Sequence, residues 1–300
     1  MKITDCHVHI GNDYYYNRKT DRKISLSESR LLDLMRKNGV EKSVIFPCPS
    51  VRELTCENKN CKSYGLSPTC LSVHEDHYIL ECPLCKGRWK IKENPYHKEN
   101  EKIIGIGKRN KDLLPFIIID PRYPKNVKCL NDYIEKGIIG VKIHPFVTNF
   151  SPKKLAKTEI MDIVKENGLV FISHSGEDEN SLPSNIIELA RCYPSVSFII
   201  AHCARLDTGV LENARKTKNV FVETSLLDRF AAKTKKNCKD VYDFLIKTLG
   251  AEKILFGTDL PYITEEKYMN VVKSFMNLDF NDDTLKKIGS ENIEILLNQG

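Results

Sequence analysis

Long apolar stretches are missing from this 300-residue sequence. The longest, over residues 113–119, is interrupted by Pro115, whereas a helix needs about 20 apolar residues to cross a bilayer. The amino terminus also lacks the basic and then apolar pattern of an export signal. We therefore expect a cytoplasmic protein without a membrane association, whose thiols stay reduced. The eleven cysteines are accordingly interpreted first as metal ligands or buried thiols.

A strong charge of either sign is missing as well. Lys and Arg number 46 against 40 Asp and Glu, which gives a net charge of +6. Basic runs such as residues 233–236 are short and interrupted, a pattern typical of solvated helix faces. Nucleic acid is therefore an unlikely partner, and we expect a small-molecule substrate.

The sequence has no glycine-rich phosphate loop after its first apolar segment, which argues against a dinucleotide-binding fold. Instead, strands rich in Val, Ile, Leu and Phe alternate with amphipathic helices, as in a parallel sheet that is buried on both faces. Eight such units favour a closed (β/α)8 barrel, the TIM barrel. The predicted strands cover residues 2–10, 43–46, 114–119, 140–144, 169–173, 197–201, 220–224 and 254–257.

The first predicted strand contains the run Asp5-Cys6-His7-Val8-His9. Side chains alternate along a strand, so we expect Asp5, His7 and His9 to share one face and Cys6 to point away. Two imidazoles on one face form half of a metal site. A polar loop is predicted to follow over residues 11–24.

Active sites of such barrels lie at the carboxyl ends of the strands. Five of the eight histidines occur at predicted strand ends, a concentration that histidines scattered through a core would not produce. The strand-end residues able to bind a metal, a proton or a substrate are His7, His9, Lys142, His144, His174, His202 and Asp259.

Five short motifs at these strand ends follow one another in a familiar order. They are Asp5-x-His7-x-His9, Gly140-Val141-Lys142-Ile143-His144-Pro145, His174-Ser175-Gly176, Ala201-His202-Cys203 and Phe256-Gly257-Thr258-Asp259-Leu260-Pro261. With them, the chain outside about residues 52–94 resembles the amidohydrolase superfamily. It is most similar to the branch that holds aminocarboxymuconate-semialdehyde decarboxylase and related metal-dependent hydrolases.

The resemblance implies a divalent metal, most simply zinc, that is held by His7, His9, His174 and Asp259. Neutral imidazoles and one carboxylate suit such an ion, which lowers the pKa of a bound water to about 7. By its chemistry, Asp259 can both hold the ion and accept a proton from this water. The resemblance also implies a role for His202. His202 would orient or deprotonate the water, or polarise a substrate carbonyl.

Lys142 and His144 leave an alternative open. In other branches of the superfamily a carbamylated lysine from the fourth strand bridges two metals, whereas in the single-metal branch such a lysine contacts substrate. We favour one catalytic metal. Glu223 and Asp5 are interpreted either as partners that orient the ligand histidines or as ordinary salt-bridge residues.

Residues 52–94 depart from the family pattern and hold five of the eleven cysteines. The pairs Cys56/Cys61 and Cys82/Cys85, with a Cys-Pro-x-Cys turn between two predicted strands, resemble a zinc-ribbon knuckle. Four thiolates form the closed shell of a structural zinc, with Cys70 as the substitute ligand. His74 or His77 could also enter the shell.

These cysteines divide the predicted chain into a barrel, residues 1–51 and 95–300, and a zinc-ribbon-like insertion, residues 52–94. About forty residues build little core alone, so a metal is physically required. The insertion follows strand two and should therefore lie on the catalytic face, as a lid or as a homodimer contact. Residues 51–100 are nearly neutral, which argues against nucleic-acid binding.

Three functions are compatible with this sequence. The first is a metal-dependent hydrolase of a small polar substrate with an amide, ester or lactone bond. The second is a metal-dependent non-oxidative decarboxylase of an unsaturated or aromatic acid, and the third is a non-catalytic binding protein. Arg122, Arg205 or Arg229 would hold a substrate carboxylate, and residues 14–16, three tyrosines, would contribute to selectivity.

Overall fold

The computed structural model describes residues 1–58, 60–61, 68–74, 77–92 and 94–298, with the backbone alone for residues 124–126. Before the insertion it contains β1 (Thr4–Asn12), α1 (Tyr14–Lys19), β2 (Ser25–Leu26), α2 (Glu28–Asn38) and β3 (Lys42–Pro47). The insertion contributes β4 (Thr69–Val73), β5 (Tyr78–Glu81) and β6 (Arg88–Ile91).

The remainder of the chain continues the alternation of helices and strands. Its elements are α3 (His97–Arg109), β7 (Leu113–Ile118), α4 (Pro124–Glu135), β8 (Gly140–Ile143), α5 (Pro145–Thr148), α6 (Glu159–Glu166), β9 (Val170–Ser173), α7 (Ser184–Cys192), β10 (Phe198–Ile200), α8 (Thr208–Lys216), β11 (Val220–Glu223), α9 (Leu227–Lys233), α10 (Cys238–Leu249), β12 (Ile254–Leu255), α11 (Glu265–Met276), α12 (Asp282–Lys286) and α13 (Asn292–Leu297).

Eight parallel strands form a closed barrel. Their order is β12-β11-β10-β9-β8-β7-β3-β1, and β2 pairs antiparallel with β1. The first and last strands close the ring, because the Cys6 N–H donates to the Phe256 carbonyl at 2.9 Å and the His9 N–H donates to the Leu260 carbonyl at 2.7 Å. The predicted (β/α)8 fold is confirmed.

The barrel interior is packed with side chains that leave little free space. Lys142 and Ile172 pair across neighbouring strands and, like Phe116, are fully buried. Gly140 makes room for Phe116, since a Cβ atom at Gly140 would lie 2.2 Å from that ring. Residues on the opposite strand face, such as Val141 and Phe171, pack in the cluster that includes the buried helix residues.

The first strand does not alternate strictly. Its register against β3 shifts between Asp5 and Val8, so that Cys6 and His7 together stand opposite Val44, as in a β-bulge. The Asp5 carboxylate stabilises the bulge by accepting from the His7 N–H at 3.1 Å and from the Thr258 hydroxyl at 2.6 Å. The bulge brings His7 and His9 to one face but turns Cys6 inward, into the apolar cluster that also contains Phe116. Our expectation that Asp5 shares the face of His7 and that Cys6 points away was wrong.

The segment after β1 is more ordered than expected. Instead of a loop over residues 11–24, it contains the short helix α1, whose N-cap is Asp13. In the next helix, α2, the Ser27 side chain accepts from the Arg30 N–H, and Gly39 ends the helix with a φ of 71°. A six-residue helix is too short to show a clear hydrophobic period, which explains why the pattern predicted a loop.

The insertion forms an antiparallel sheet in the order β4-β5-β6. Its Tyr78 ring packs edge-on against Tyr123 of the barrel, with centroids 5.3 Å apart. Tyr78, Leu80 and Ile91 are buried with Tyr96 in the same apolar cluster. One face of this small sheet is therefore docked on the barrel, and the boundaries 52–94 stay a prediction. Within the described residues, no helix is both long and apolar enough to cross a membrane.

Candidate metal centre at the barrel mouth

Three donor atoms converge at the carboxyl end of the barrel. The His7 Nε2 and His9 Nε2 atoms are 3.3 Å apart. Oδ1 of Asp259 lies 3.3 Å from His7 Nε2 and 3.4 Å from His9 Nε2. All three side chains are buried or nearly so. Asp259 reaches this position from a turn with a φ of 66°, a left-handed conformation that aspartate tolerates better than most residues.

Neighbouring groups fix the protons of these two histidines. Nδ1 of His9 lies 2.8 Å from the Pro47 carbonyl, which can only accept. Nδ1 of His7 lies 3.0 Å from the Glu223 carboxylate. Both Nδ1 atoms therefore carry the hydrogen, and each Nε2 presents a lone pair. Burial lowers the pKa of His7 well below its ordinary value, which keeps the imidazole neutral.

This triangle fits a divalent cation. Tetrahedral nitrogen and oxygen ligands about 2.0–2.1 Å from a zinc ion lie about 3.3–3.4 Å from one another, as the three donor atoms do. Two lone pairs and a carboxylate oxygen that face one another without a hydrogen repel unless a positive charge lies among them. The nearest cation of the chain is Lys142, whose Nζ is 3.4 Å from His7 Nε2. Burial lowers the pKa of Lys142 to about 8.

Glu223 organises the inner side of this centre. Besides His7, its carboxylate accepts from the backbone N–H of His202, the backbone N–H of Ser225 and the Ser225 hydroxyl, each at 2.6 Å. Gly257 provides the space, because a Cβ atom there would lie 2.3 Å from Oε2 of Glu223. The interpretation of Glu223 as a partner that orients a ligand histidine therefore fits the geometry.

His174 and His202 contact each other. Nδ1 of His202 lies 2.6 Å from the Ser225 hydroxyl, which donates onward to Glu223. Nε2 of His202 therefore carries a lone pair and accepts from Nδ1 of His174 at 2.8 Å. Burial lowers the pKa of His174 to about 3 and that of His202 well below its ordinary value. The structure thus brings His7, His9 and Asp259 together and holds the predicted ligand His174 beside them, on His202.

The five strand-end histidines form one continuous cluster. The ring of His144 stacks on His174 with centroids 4.0 Å apart, His174 contacts His202 at 4.7 Å, and His202 contacts His7 at 5.1 Å. His144 also caps α5, because its Nδ1 accepts from the Val147 N–H at 3.4 Å. Neither His144 nor Lys142 belongs to the donor triangle.

The backbone that carries His202 is unusual. Residues 202–206 all have positive φ, between 46° and 59°, and none is glycine. A left-handed conformation costs roughly 1–2 kcal/mol per residue, and such strain is typical of functional sites. The turn directs both His202 and Arg205 toward the cavity.

A cavity of about 460 Å³ opens above the centre. Its wall combines the metal-site residues with tyrosines, arginines and carboxylates. The polar and aromatic lining comprises His9, Asp13, Tyr15, Tyr16, Arg22, Ser50, His144, Phe146, His174, Glu177, Asp178, His202, Arg205, Arg229, Asp259 and Tyr262. No described residue of 52–94 lines this cavity.

The three arginines proposed for substrate binding differ in position. Arg205 and Arg229 line the cavity, with Arg205 ion-paired to Glu177. Arg122 does not line it and forms a two-pronged ion pair with buried Asp120, at 2.9 and 2.7 Å. Sequence reasoning missed Arg22, whose guanidinium lies 5.3 Å from the centre of the Tyr16 ring.

Sequence reasoning also missed the pair formed by Asp13 and Tyr262. The Tyr262 hydroxyl donates to Asp13, and the Tyr262 ring packs edge-on against His9 with centroids 5.1 Å apart. Tyr262 lies three residues after Asp259 and directly follows the motif that ends at Pro261. This adjacency was the only signal in the sequence that could have identified it.

A second cluster of metal-ligating groups lies in the insertion. The sulfur atoms of Cys56, Cys61, Cys82 and Cys85 all lie within 4.8 Å of one another. Burial opposes ionisation, but backbone N–H groups of Cys85 and Leu84 together with neighbouring thiols lower the pKa of Cys82 to about 6. Cys70 lies apart, with its thiol donating to the Ser72 carbonyl. The sulfur atoms that converge are therefore those of the four predicted cysteines, and Cys70, the predicted substitute, is not among them.

A family model described as amidohydrolase matches residues 90–298, whereas the comparison with curated proteins finds no match. Several solved structures share the architecture. A TIM-barrel protein of uncharacterised function from Bordetella bronchiseptica is 15% identical with a TM-score of 0.66, and the match covers 100% of this chain and 99% of that chain.

Two further structures of named function are similar. The 5-carboxyvanillate decarboxylase from Sphingomonas paucimobilis is 11% identical with a TM-score of 0.67, covering 99% of this chain and 98% of that chain. A Pseudomonas putida protein assigned as a 2-pyrone-4,6-dicarboxylic acid hydrolase is 13% identical with a TM-score of 0.61, covering 99% and 97%. At these identities the similarity establishes the barrel fold alone.

Proposed function

The chain belongs to the amidohydrolase family, and from this membership we propose that it is a metal-dependent hydrolase of a small polar substrate with an amide, ester or lactone bond. One observation supports this most directly. His7 Nε2, His9 Nε2 and Asp259 Oδ1 form a triangle of proton-free donor atoms, and it adjoins a cavity large enough for a small molecule.

His7, His9 and Asp259 would hold the ion, with His174 as the further predicted ligand. A divalent ion, most simply zinc, supplies a Lewis acid and lowers the pKa of water to about 7. The Pro47 carbonyl and Glu223 keep both Nε2 atoms free of protons. Asp259 has a second carboxylate oxygen that can accept a proton from an attacking water.

His202 is the residue best prepared to act on the substrate. Ser225 and Glu223 hold the hydrogen on its Nδ1, so Nε2 is its basic atom. His174 donates to this atom in the present structure, and a reacting group would replace that contact. Its lowered pKa keeps it neutral at pH 7, as a base requires. Arg22, Arg205 and Arg229 favour a substrate with an anionic group.

A substrate screen with the zinc-loaded protein tests this proposal. We expect turnover of lactones, esters or amides that carry a carboxylate, without release of carbon dioxide. Release of carbon dioxide from aromatic or enoic acids, with no hydrolysis, would overturn it.

Non-oxidative decarboxylation is the second candidate. The arginines of the cavity wall favour it, because a substrate of a decarboxylase always carries a carboxylate, and one similar structure is a decarboxylase. The same donor triangle and His202 would serve both reactions, so carbon dioxide detection discriminates between them. A protein that is fully loaded with metal but inactive throughout the screen would favour the non-catalytic alternative.

We further propose that Cys56, Cys61, Cys82 and Cys85 hold a structural zinc. Four sulfur ligands about 2.3 Å from zinc lie about 3.8 Å apart, and the Cys56–Cys85 and Cys61–Cys82 pairs are each at 3.5 Å. A cytoplasmic location fits reduced thiols of this kind. A homodimer contact through the insertion is retained as a proposal that solution molecular mass would test.

A further inference from the structure

The helix α1 forms part of the cavity wall but cannot hold itself in place. Tyr15 and Tyr16 line the cavity, and the helix has six residues. Helices shorter than about 12 residues are marginal in water. Contacts with the surrounding structure must therefore set the position of these two rings.

The carboxyl end of α1 is bound to the segment between Cys56 and Cys61. Arg18 donates to the Glu57 carbonyl and Lys19 donates to the Asn58 carbonyl. Both carbonyls belong to the segment that joins two of the converging thiols, Cys56 and Cys61. Lysine and arginine in the last turn are also favoured by the helix dipole, but here their partners are carbonyls of the insertion.

The position of those carbonyls depends on the four sulfur atoms. The described part of this segment is a turn, in which the Cys61 N–H donates to the Asn58 carbonyl at 3.1 Å. Its two ends contact the knuckle, the turn from Cys82 to Cys85, through their sulfur atoms. Cys56 contacts Cys85, and Cys61 contacts Cys82. Thiolates brought this close repel one another unless a metal binds them. Loss of the metal would therefore release the turn from the knuckle.

The amino end of α1 connects to the candidate centre. Asp13 accepts from the Tyr16 N–H at 3.0 Å and from the Tyr262 hydroxyl. The Tyr262 N–H donates to the Asp259 carbonyl at 2.8 Å. Helix α1 thus lies between the sulfur cluster and the segment that carries Asp259.

We propose that the metal bound by the four cysteines positions the substrate-facing wall of the barrel, with Arg18 and Lys19 as the positioning residues that connect the two. The insertion is then a support for Tyr15 and Tyr16, although it does not line the cavity. This inference rests on the proposed function for its kinetic consequence, and on the cysteine site for its structural one.

Hydrogen–deuterium exchange of residues 13–20 tests the structural part without any substrate. We would compare the zinc-loaded protein with Cys85→Ser and with the double variant Arg18→Met/Lys19→Met, which leaves all four cysteines intact. A coupling of typical size is about fivefold or more, so both variants should speed exchange of residues 13–20 by at least about that factor. Exchange of β8 provides the internal reference.

Arg88→Met is the matched control, because Arg88 lies on β6 and pairs with Glu81 of the insertion at 3.0 Å. It should leave exchange of residues 13–20 unchanged. The proposal is overturned if the double variant leaves exchange in α1 unchanged, or if Cys85→Ser loses its metal without an effect on α1. Emission of Trp89, the only tryptophan, reports metal loss because it packs on the cysteines.

The kinetic part uses whichever substrate the screen identifies. The double variant should raise KM by about fivefold or more with kcat nearly unchanged, because His7, His9 and Asp259 keep their barrel contacts. A lowered kcat with unchanged KM would contradict a role in positioning the substrate wall. A screen that finds no substrate would overturn the proposed function and leave the exchange result standing.

Discussion

The four cysteines of the insertion come from one short stretch of chain, whereas the donor triangle at the barrel mouth joins the first strand to the turn after the last strand. The cysteine cluster offers four sulfur atoms as donors, and none of its four cysteines lines the cavity at the barrel mouth. The triangle adjoins a cavity of about 460 Å³. Closed shells are typical of structural metal sites and open ones of catalytic sites.

The two regions also differ in how their ligands are prepared. At the barrel mouth, the Pro47 carbonyl and Glu223 determine which histidine nitrogens are free. In the insertion, the donor thiols are neighbours of one another, and backbone N–H groups together with these thiols lower the pKa of Cys82 to about 6. The barrel thus preorganises its donors, whereas the proposed metal of the insertion would be needed to hold four thiolates together.

Replacing Cys82 with alanine should give the largest effect. A structural zinc contributes on the order of 10 kcal/mol of binding free energy, so the variant should lose the insertion metal and unfold that sheet. Metal analysis should find more than one equivalent of bound metal per chain in the unchanged protein. At least one equivalent should remain bound in Cys82→Ala. A content of one equivalent or less that disappears in the variant would contradict the existence of two sites. Cys192→Ala, an exposed thiol elsewhere, is the control.

Asp259→Asn should have the opposite pattern: turnover is lost, whereas the cysteine site of the insertion is unaffected. The amide cannot accept a proton as a carboxylate does, and acid–base groups contribute about 10²–10⁴-fold to rates. We expect turnover to fall by about a thousandfold while Trp89 emission stays unchanged. Asp243→Asn, on the surface of α10, controls for the loss of a charge. Full turnover in Asp259→Asn would remove the catalytic assignment.

Acid should destabilise the metal-free barrel through its histidines. His174 has its folded pKa lowered to about 3, below the ordinary 6.5, and the pKa values of His7, His144 and His202 are also lowered. Between the folded and the unfolded pKa of each histidine the unfolded chain binds more protons, so the histidines lower stability as pH falls below about 6.5. Burial raises the pKa of Asp5 to about 7 and raises those of Glu223 and Asp259, which opposes part of this loss. Each histidine adds up to about 1.4 kcal/mol per pH unit to the slope.

Urea unfolding between pH 7 and 5, with a chelator present, measures this slope. His144→Asn keeps a helix-capping side chain on α5. It should reduce the slope of the unfolding free energy against pH by up to about 1.4 kcal/mol per pH unit, the contribution of one proton. The difference in slope between the unchanged protein and His144→Asn isolates the contribution of this histidine. Identical slopes in the two proteins would contradict the neutral, buried state of His144.

Glu223→Gln should give the smallest of the four effects. The neutral amide accepts more weakly from His7, His202 and Ser225, and loss of such an orienting partner typically costs 10–100-fold in metal affinity or activity. Competition with a chelator should detect weaker binding at the barrel and none at the cysteines. Glu266→Gln, an exposed carboxylate on α11, should not change either affinity.

Much of the barrel was predictable from the sequence. Continuous apolar strands and strand-end histidines give a strong local signal, and the structure contains each of the eight predicted strands within a few residues. The convergence of Cys56, Cys61, Cys82 and Cys85 was equally accessible, because their pairs are close in sequence. The ligand assignment for His174 stays a prediction.

Other features required the folded chain. The bulge at His7 depends on the register against β3 and on Thr258, which no local pattern encodes. Strict alternation therefore gave the wrong direction for Cys6. The helix α1 is shorter than the window in which a helical period can be recognised.

The sequence by itself determined the kinds of donor atom and the order in which they occur, because residue type and strand periodicity are local properties. The tertiary structure decided which of these atoms meet and which carry protons. His9 has a free Nε2 because Pro47 of the neighbouring strand offers a carbonyl to its Nδ1. His174 faces His202 because Ser225 and Glu223 orient that ring. Such contacts join residues distant in sequence, and only packing brings them within hydrogen-bonding distance.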